Sequence, residues 1–170
     1  MIQTVHEETA VAIGLGEMHV TDNPRLVLVC YGIGSCIAFT AFDPISHVAG
    51  MAHLVLPEQV QADGRGSSNP LRFVDAGIHH MLERLAAAGA SKPRTIFKMA
   101  GGARMVATPG LASKLNIGAR NVEAAKATTA AAGIRLRGED VGGTRGRTVR
   151  MYAATGRVLV AMAGGESYEL

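Results

Sequence analysis

Two residues of the chain, Cys36 and His53, have the side chains needed for nucleophilic chemistry. Cys36 lies in GIGSCIAF, residues 32–39, between two apolar runs, and His53 lies in MAHLVLP, residues 51–57. A free thiol has a pKa of about 8.5, and its thiolate is the nucleophile. A neighbouring imidazole can take the thiol proton and later give it to a departing amine. The alternative is structural, because a cysteine beside a strand often packs as a small apolar side chain and a histidine can be a satisfied core residue.

The spacing of the two residues predicts that a β-hairpin brings them together. The turn signal DPIS, residues 43–46, separates two apolar runs of strand length. With these four residues as the loop, Phe42 faces His47, and the same register places Cys36 directly opposite His53. Directly opposed residues share a face of the sheet, with Cβ atoms about 4.5–5.5 Å apart. A slip of one residue would put the two side chains on opposite faces.

The residues just before Cys36 predict a site for a developing negative charge. Gly32 and Gly34 permit a close backbone approach and unusual dihedral angles. Backbone N–H groups in this turn can therefore face an oxyanion. We expect the N–H groups of Ser35 and Cys36 to be these donors, just after a central strand predicted over residues 25–31.

The rest of the pattern predicts an α+β fold around these residues. Apolar runs of strand length recur along the chain, and the last two, RTVRMYAA and RVLVAMA, have the spacing of a hairpin. Asn69 followed by proline is typical of a helix start, Gly89 of its end, and a second helix is predicted over residues 119–132. Mixed strands with two helices and no linker predict one α+β domain over residues 1–170.

A polar segment from Glu58 to Asn69, rich in Gly and Ser, predicts an exposed loop. Such a loop can flank a substrate cleft or act as a spacer, and the sequence leaves both alternatives open.

Composition excludes several other classes of protein. The net charge is +3 with scattered bases, and nucleic-acid binders usually concentrate theirs on one face, so we expect no nucleic-acid partner. No apolar run is long enough to cross a bilayer, the first residues do not resemble a secretory signal, and two cysteines make no disulfide scaffold. We therefore expect a cytoplasmic protein without membrane insertion. The neighbouring His79 and His80 point in different directions on a helix, so we expect no zinc site there.

Several stretches in a fixed order resemble the CheD family, the chemoreceptor glutamine deamidases. The longest is CYGIGSCIAFTAFDPISHVAGMAHLVLPE, residues 30–58. The others run nearly end to end: IGLGEMHV, RFVDAGI, KMAGGARM, NIGARNVEAA, EDVGGTRGRTV and TGRVLV. Separate motifs in the same order are more specific than one cysteine with one histidine.

The resemblance implies a function and a fold. Proteins of this family hydrolyse glutamine side-chain amides on the cytoplasmic helical bundle of bacterial chemoreceptors, a protein-glutamine glutaminase activity used in chemotaxis adaptation. The family's nucleophile corresponds to Cys36 and its histidine to His53, with no metal or organic cofactor. Many members also pair with CheC, a phosphatase of the response regulator. The family fold is a layered sandwich of mixed β-sheets flanked by helices, similar to the catalytic domain of cytotoxic necrotizing factor toxins.

One position departs from the family pattern. A threonine commonly stands six residues before the cysteine as a third site residue, and here that position is Cys30. A thiol is a weaker donor and acceptor than a hydroxyl. Cys30 is therefore either a possible third site residue or a core thiol at the end of a buried strand. The departure also leaves open a second function, a catalytically weak regulatory protein that docks on receptors or on a CheC-type phosphatase.

Overall fold

The structure, a computed structural model, describes residues 8–59, 69–105 and 116–170. Ten strands and two α-helices lie within these ranges. The strands are β1 (Thr9–Ala12), β2 (Met18–Thr21), β3 (Leu26–Ile33), β4 (Ile37–Asp43), β5 (Val48–Leu54), β6 (Ile96–Gly101), β7 (Leu136–Val141), β8 (Arg147–Tyr152), β9 (Val158–Met162) and β10 (Ser167–Glu169). The helices are α1 (Val74–Ala87) and α2 (Ile117–Ala131).

The strands form two mixed sheets. One sheet has the order β1-β3-β8-β9-β10, and the other has the order β2-β5-β4-β6-β7. The pairs β1–β3 and β6–β7 are parallel, and the remaining pairs are antiparallel. The predicted hairpin of the last two long strands is confirmed as β8 and β9. The short strand β10, which pairs with β9, was not predicted from the sequence.

The second sheet is the middle layer of the fold. Every residue of β4 and β5 is buried, because one face of this sheet packs on the first sheet and the other on the helices. Phe39 and Met99 belong to the helix-side core with Ile78 of α1, while Ala38 and Met51 belong to the core shared with the first sheet. The predicted α+β layered sandwich is therefore confirmed.

Both predicted helices form, with shifted starts. Asn69 caps a short 3-10 turn, Pro70–Arg72, by accepting from the Leu71 N–H at 3.0 Å, and α1 begins after it. Helix α2 begins two residues earlier than predicted, because Asn116 accepts from the Ala119 N–H at 3.1 Å and acts as the N-cap. Capping by Asn116 explains the earlier start of α2. Helix α1 starts later than predicted because Phe73, which follows the 3-10 turn, is in an extended conformation.

The hairpin of β4 and β5 forms, but the predicted register is wrong. Phe42 pairs with Ala49, not with His47, and Asp43 is the last residue of β4. The loop lies one residue later because the buried Asp43 carboxylate accepts from the N–H of Ile45 at 3.0 Å and from Arg94 Nε at 2.8 Å. His47 closes the loop with a φ of 56°. The paired positions therefore shift by two residues, an even number, which preserves the face of each side chain.

The predicted polar loop falls almost wholly at residues 60–68, outside the described ranges. In the described parts of the chain, no helix is both long and apolar enough to cross a membrane.

Candidate active site

Cys36 lies in the turn between β3, which belongs to one sheet, and β4, which belongs to the other. The pairing of β3 with β8 is irregular between Cys30 and Ile33, and Gly32 there has a φ of 63°. A left-handed residue at this point costs least when it is glycine. Cys36 is half-buried, whereas Cys30 is completely buried. The thiol of Cys36 is thus the more accessible of the two.

The three carbonyl groups of the turn each accept a hydrogen bond from a residue that comes later in the chain. Gly34 O accepts from the Ala103 N–H at 2.8 Å, and Cys36 O accepts from the Gly102 N–H at 2.9 Å. Between them, Ser35 O accepts from the Asn121 side chain at 2.7 Å. Three consecutive carbonyls are therefore fixed by hydrogen bonds.

The turn after β6 requires glycine because it approaches Cys36 closely. Gly101 has a φ of 132°, and a Cβ placed there would lie 2.0 Å from Cys36 O. Gly102 has a φ of 66°, and its Cβ would lie 2.3 Å from Val122 Cγ2. The backbone of the KMAGGARM stretch therefore packs directly against the backbone of Cys36 and leaves no space for a larger residue at either glycine.

His53 is fixed in one tautomer by the backbone. Its Nδ1 lies 3.2 Å from Ile13 O. A carbonyl oxygen can only accept, so Nδ1 carries the proton and Nε2 is left as the basic nitrogen. Nε2 is buried and makes no hydrogen bond within the described residues. The imidazole is thus oriented by a backbone carbonyl and retains a free proton acceptor.

Cys36 and His53 share one face of the hairpin but are not directly opposed, which corrects the sequence prediction. His53 pairs with Ala38, two residues after Cys36. If this register is continued to Cys36, the two residues are diagonal neighbours on adjacent strands, and residues in such positions lie about 7–8 Å apart. In the described residues the thiol makes no hydrogen bond to Nε2. Catalytic hydrogen bonds that are long without substrate often tighten when it binds.

Burial makes both groups neutral at rest. It lowers the pKa of His53 from its ordinary 6.5, although the Ile13 carbonyl and the Glu17 carboxylate oppose the change. It also raises the pKa of the Cys36 thiol above its ordinary 9.0, with partial opposition from that residue's own N–H. Near neutral pH the pair is therefore a thiol and a neutral imidazole, and not a preformed ion pair.

Cys30 has the surroundings of a core thiol. It packs with Leu28, Ile33 and Val149 between the two sheets. Burial first, and then the negative charge of a Cys36 thiolate, raises the pKa of Cys30 to about 12. The nitrogen of His53 that a third residue would orient is already bound to Ile13 O.

A cavity of about 340 Å³ lies beside His53. Its walls include Ile13, Gly32 and the side chains of Leu15 and Tyr31. Leu15 is 67% exposed and Tyr31 is 55% exposed, which are high values for large apolar side chains. The cavity beside the imidazole therefore has an apolar rim.

The residue that sequence reasoning missed is Asn121. It lies on α2, is completely buried, and donates to Ser35 O and to Val55 O at 2.9 Å. The available signal was its position in NIGARNVEAA, where it is a polar residue on the helix face that also buries Gly118 and Ala125.

Within the described ranges, no three His, Cys, Asp or Glu side chains lie close enough together to hold a metal ion. His79, one of the two neighbouring histidines on α1, is exposed, and its Nδ1 lies 3.0 Å from Asp75 O.

Known proteins resemble this chain over most of its length. A family model described as CheD chemotactic sensory transduction matches residues 55–162. The probable chemoreceptor glutamine deamidase CheD of Symbiobacterium thermophilum is 46% identical over 94% of this chain and 96% of its own length. The chemoreceptor glutamine deamidase CheD of Thermotoga maritima is 41% identical over 93% of this chain and 96% of its own length.

A solved structure is a weaker match. The hypothetical protein YfiH of Bacillus licheniformis aligns with a TM-score of 0.43 at 14% identity, over 82% of this chain and 61% of that one. The family model and the two deamidase relatives each match most of the chain. The chain therefore belongs to the CheD family.

Proposed function

We propose that this protein is a chemoreceptor glutamine deamidase that converts glutamine side chains to glutamate and ammonia. Two full-length relatives carry this name. The structural observation that supports it most is the state of His53, a neutral imidazole whose Nδ1 is bound to Ile13 O and whose Nε2 is free on the face shared with Cys36. A general base for a thiol requires a neutral nitrogen without a proton, which Nε2 provides.

In the first half of the reaction, His53 Nε2 takes the proton of Cys36 as the sulfur attacks the amide carbon. A carbon–sulfur bond forms, and the carbonyl oxygen becomes an oxyanion. The N–H groups of Ser35 and Cys36 stabilise this charge. His53 then gives its proton to the nitrogen, the carbon–nitrogen bond breaks, and ammonia leaves a thioester.

In the second half, His53 removes a proton from water, which attacks the thioester. The carbon–sulfur bond breaks, and the proton returns to the Cys36 sulfur. One glutamine and one water have then given one glutamate and one ammonia. All proton transfers are made by one imidazole, as its neutral resting state allows.

The proposed substrate is a glutamine side chain on the surface of another protein. The exposed Leu15 and Tyr31 at the cavity rim suit contact with the helical bundle of a receptor. The protein then works in the cytoplasm, where receptor signalling domains lie.

The experiment is incubation of a receptor cytoplasmic fragment with the protein, followed by mass spectrometry and peptide mapping. We expect glutamine-to-glutamate conversion with the native protein and none with Cys36→Ala. The matched control is Cys30→Ala, which removes the other thiol and is expected to retain activity because Ile13 O, not Cys30, holds the imidazole. Conversion by pure Cys36→Ala protein would refute the assignment.

A second candidate function is a weakly catalytic docking protein for receptors or for a CheC-type phosphatase. The raised pKa of Cys36 and the thiol at position 30 favour it. Tight binding of several receptor fragments, with no conversion in any of them, would support this function over the deamidase.

A further inference from the structure

Asn121 joins the two halves of the candidate site with a single amide group. Its nitrogen donates to Ser35 O at 2.7 Å and to Val55 O at 2.9 Å. Ser35 directly precedes Cys36, and Val55 follows His53 by two residues. Both hydrogens of the amide are used, and each holds the backbone beside one of the two reacting side chains.

The hydrogen bond to Ser35 O determines where the next N–H points. In a trans peptide the carbonyl of one residue and the N–H of the following residue point in opposite directions. The described chain has no cis peptide. With Ser35 O directed at α2, the Cys36 N–H is directed away from that helix. In the same way, the hydrogen bond from the Ala103 N–H to Gly34 O fixes the orientation of the Ser35 N–H, which points away from Ala103.

Of the three hydrogen bonds that fix this turn, the one from Asn121 is made by a side chain. The other two come from the backbone of Ala103 and Gly102. A substitution at residue 121 can therefore release the Ser35 carbonyl and leave the neighbouring bonds in place.

The polar character of Asn121 is not explained by stability alone. Its Oδ1 is buried and has no hydrogen-bond partner among the described residues. The reverse amide orientation would place that oxygen against two carbonyl oxygens, so the nitrogen must face them. An unpaired buried acceptor destabilises a fold, yet the residue still supplies both N–H donors to the site.

We propose that Asn121 is a positioning residue that holds the Cys36 N–H in the orientation of an oxyanion donor. It acts through the Ser35 carbonyl and does not touch the substrate. Through Val55 it also fixes this donor relative to the strand of His53. The inference rests on the proposed function, because it requires Cys36 to react with a carbonyl carbon.

Two reactions of the same thiol separate this role from a purely structural one. Acylation of Cys36 by p-nitrophenyl acetate forms a carbon–sulfur bond through an oxyanion and expels p-nitrophenolate, with the thiol proton passing to His53. Alkylation by iodoacetamide forms a carbon–sulfur bond and expels iodide without any oxyanion. Only the first reaction needs the oriented N–H group. Peptide mapping confirms that the modified residue is Cys36.

The variants are Asn121→Asp, which keeps the shape and removes the donors, and Asn121→Ala, which removes them without adding a charge. The control is Thr129→Val, which removes a buried hydrogen bond to Ala125 O on the same helix, two turns from Asn121. Native protein and Cys36→Ala complete the set. Circular dichroism identifies the variants that fold, and the ratio of the two rates is compared within each folded variant.

Loss of an oxyanion donor typically costs a factor of 10²–10³, so we expect acylation to slow by about 10²-fold in the Asn121 variants. Alkylation is expected to stay unchanged. The Thr129→Val protein is expected to keep both rates. On a receptor fragment the Asn121 variants are expected to lose kcat with little change in KM.

An unchanged acylation rate, or an equal loss of both rates, would overturn the inference. If Cys36 of the native protein is acylated but no receptor is deamidated, the receptor assignment fails and the inference about Asn121 stands. If Cys36 is not acylated at all, the nucleophile assignment and the inference both fall.

Discussion

Substitution of Gly101 by alanine tests how the fold positions Cys36, the proposed nucleophile. Gly101 ends β6 with a φ of 132°, and its added Cβ would lie 2.0 Å from Cys36 O and 2.8 Å from Ile33 Cγ2. The nearer atom belongs to the backbone and cannot rotate away. The matched control is Gly133→Ala, after α2, where φ is 67° and, apart from the adjoining residues, no heavy atom of the described chain lies within 4 Å of the added Cβ.

The two substitutions share one energetic cost and differ in another. A non-glycine residue in such a backbone conformation costs about 1–3 kcal/mol at either position. Forcing extra atoms into a packed region costs about 1–3 kcal/mol more, and this applies to Gly101→Ala alone. At this chain length 1 kcal/mol corresponds to about 2–4 °C in Tm. Gly101→Ala is therefore expected to melt several degrees below Gly133→Ala.

The same collision must displace the Cys36 carbonyl and with it the thiol. A misplacement of 1 Å in a catalytic geometry can cost about 10²-fold in rate. We expect Gly101→Ala to lose deamidation by about that factor and Gly133→Ala to keep it. Thermal unfolding followed by circular dichroism and the receptor assay give the two readouts. Equal Tm values and equal rates for the two variants would refute the packing argument.

Two further predictions concern titration. The proposed base His53 acts in its neutral form, and burial lowers its pKa below 6.5, so deamidation should persist below pH 6.5 and be lost only at lower pH. Burial raises the pKa of Cys36 above 9.0, so the rate of its alkylation should still be rising at pH 9. A plateau of the alkylation rate near pH 6 would contradict the neutral resting pair. Burial alone would raise the pKa of Asp43, but Arg94 and the N–H groups of Ser91 and Ile45 hold this pKa far below its ordinary 3.8. The ionised carboxylate therefore stabilises the fold at pH values above the pKa that Asp43 has in the unfolded chain, and this stabilisation is lost as the pH falls below that pKa. Urea unfolding at pH 3 and pH 7 should show a smaller acid loss of stability for Asp43→Asn than for the native protein, and equal losses would argue against this role.

Much of the fold could be predicted because strand and helix periodicity are local signals. The α+β class, both helices and the β8–β9 hairpin followed from apolar spacing and turn residues, whereas the layered sandwich followed from the resemblance to the CheD family. The placement of Cys36 and His53 on one face also followed, because a hairpin preserves side-chain parity when its register shifts by two residues. The predicted face of each side chain is therefore correct although the predicted loop is wrong by one residue.

The errors came from interactions that a local pattern does not contain. The loop of the first hairpin is set by Asp43, whose carboxylate bonds to Arg94, fifty-one residues away along the chain. The orientation of His53 depends on a carbonyl of Ile13, and any carbonyl can accept such a bond whatever its side chain. Asn121 reaches Ser35 across 86 residues, so its contact is a consequence of layer packing.

The most direct test of the central claim is detection of the Cys36 thioester itself. The protein is mixed with a receptor fragment, quenched in acid within the first turnover and digested for mass spectrometry. We expect a peptide pair in which Cys36 is joined to a receptor glutamine with the loss of ammonia, and we expect this pair to be absent from the Cys36→Ala protein. Deamidation that proceeds in the Cys36→Ala protein, with no adduct on Cys36 in the native one, would contradict the central claim.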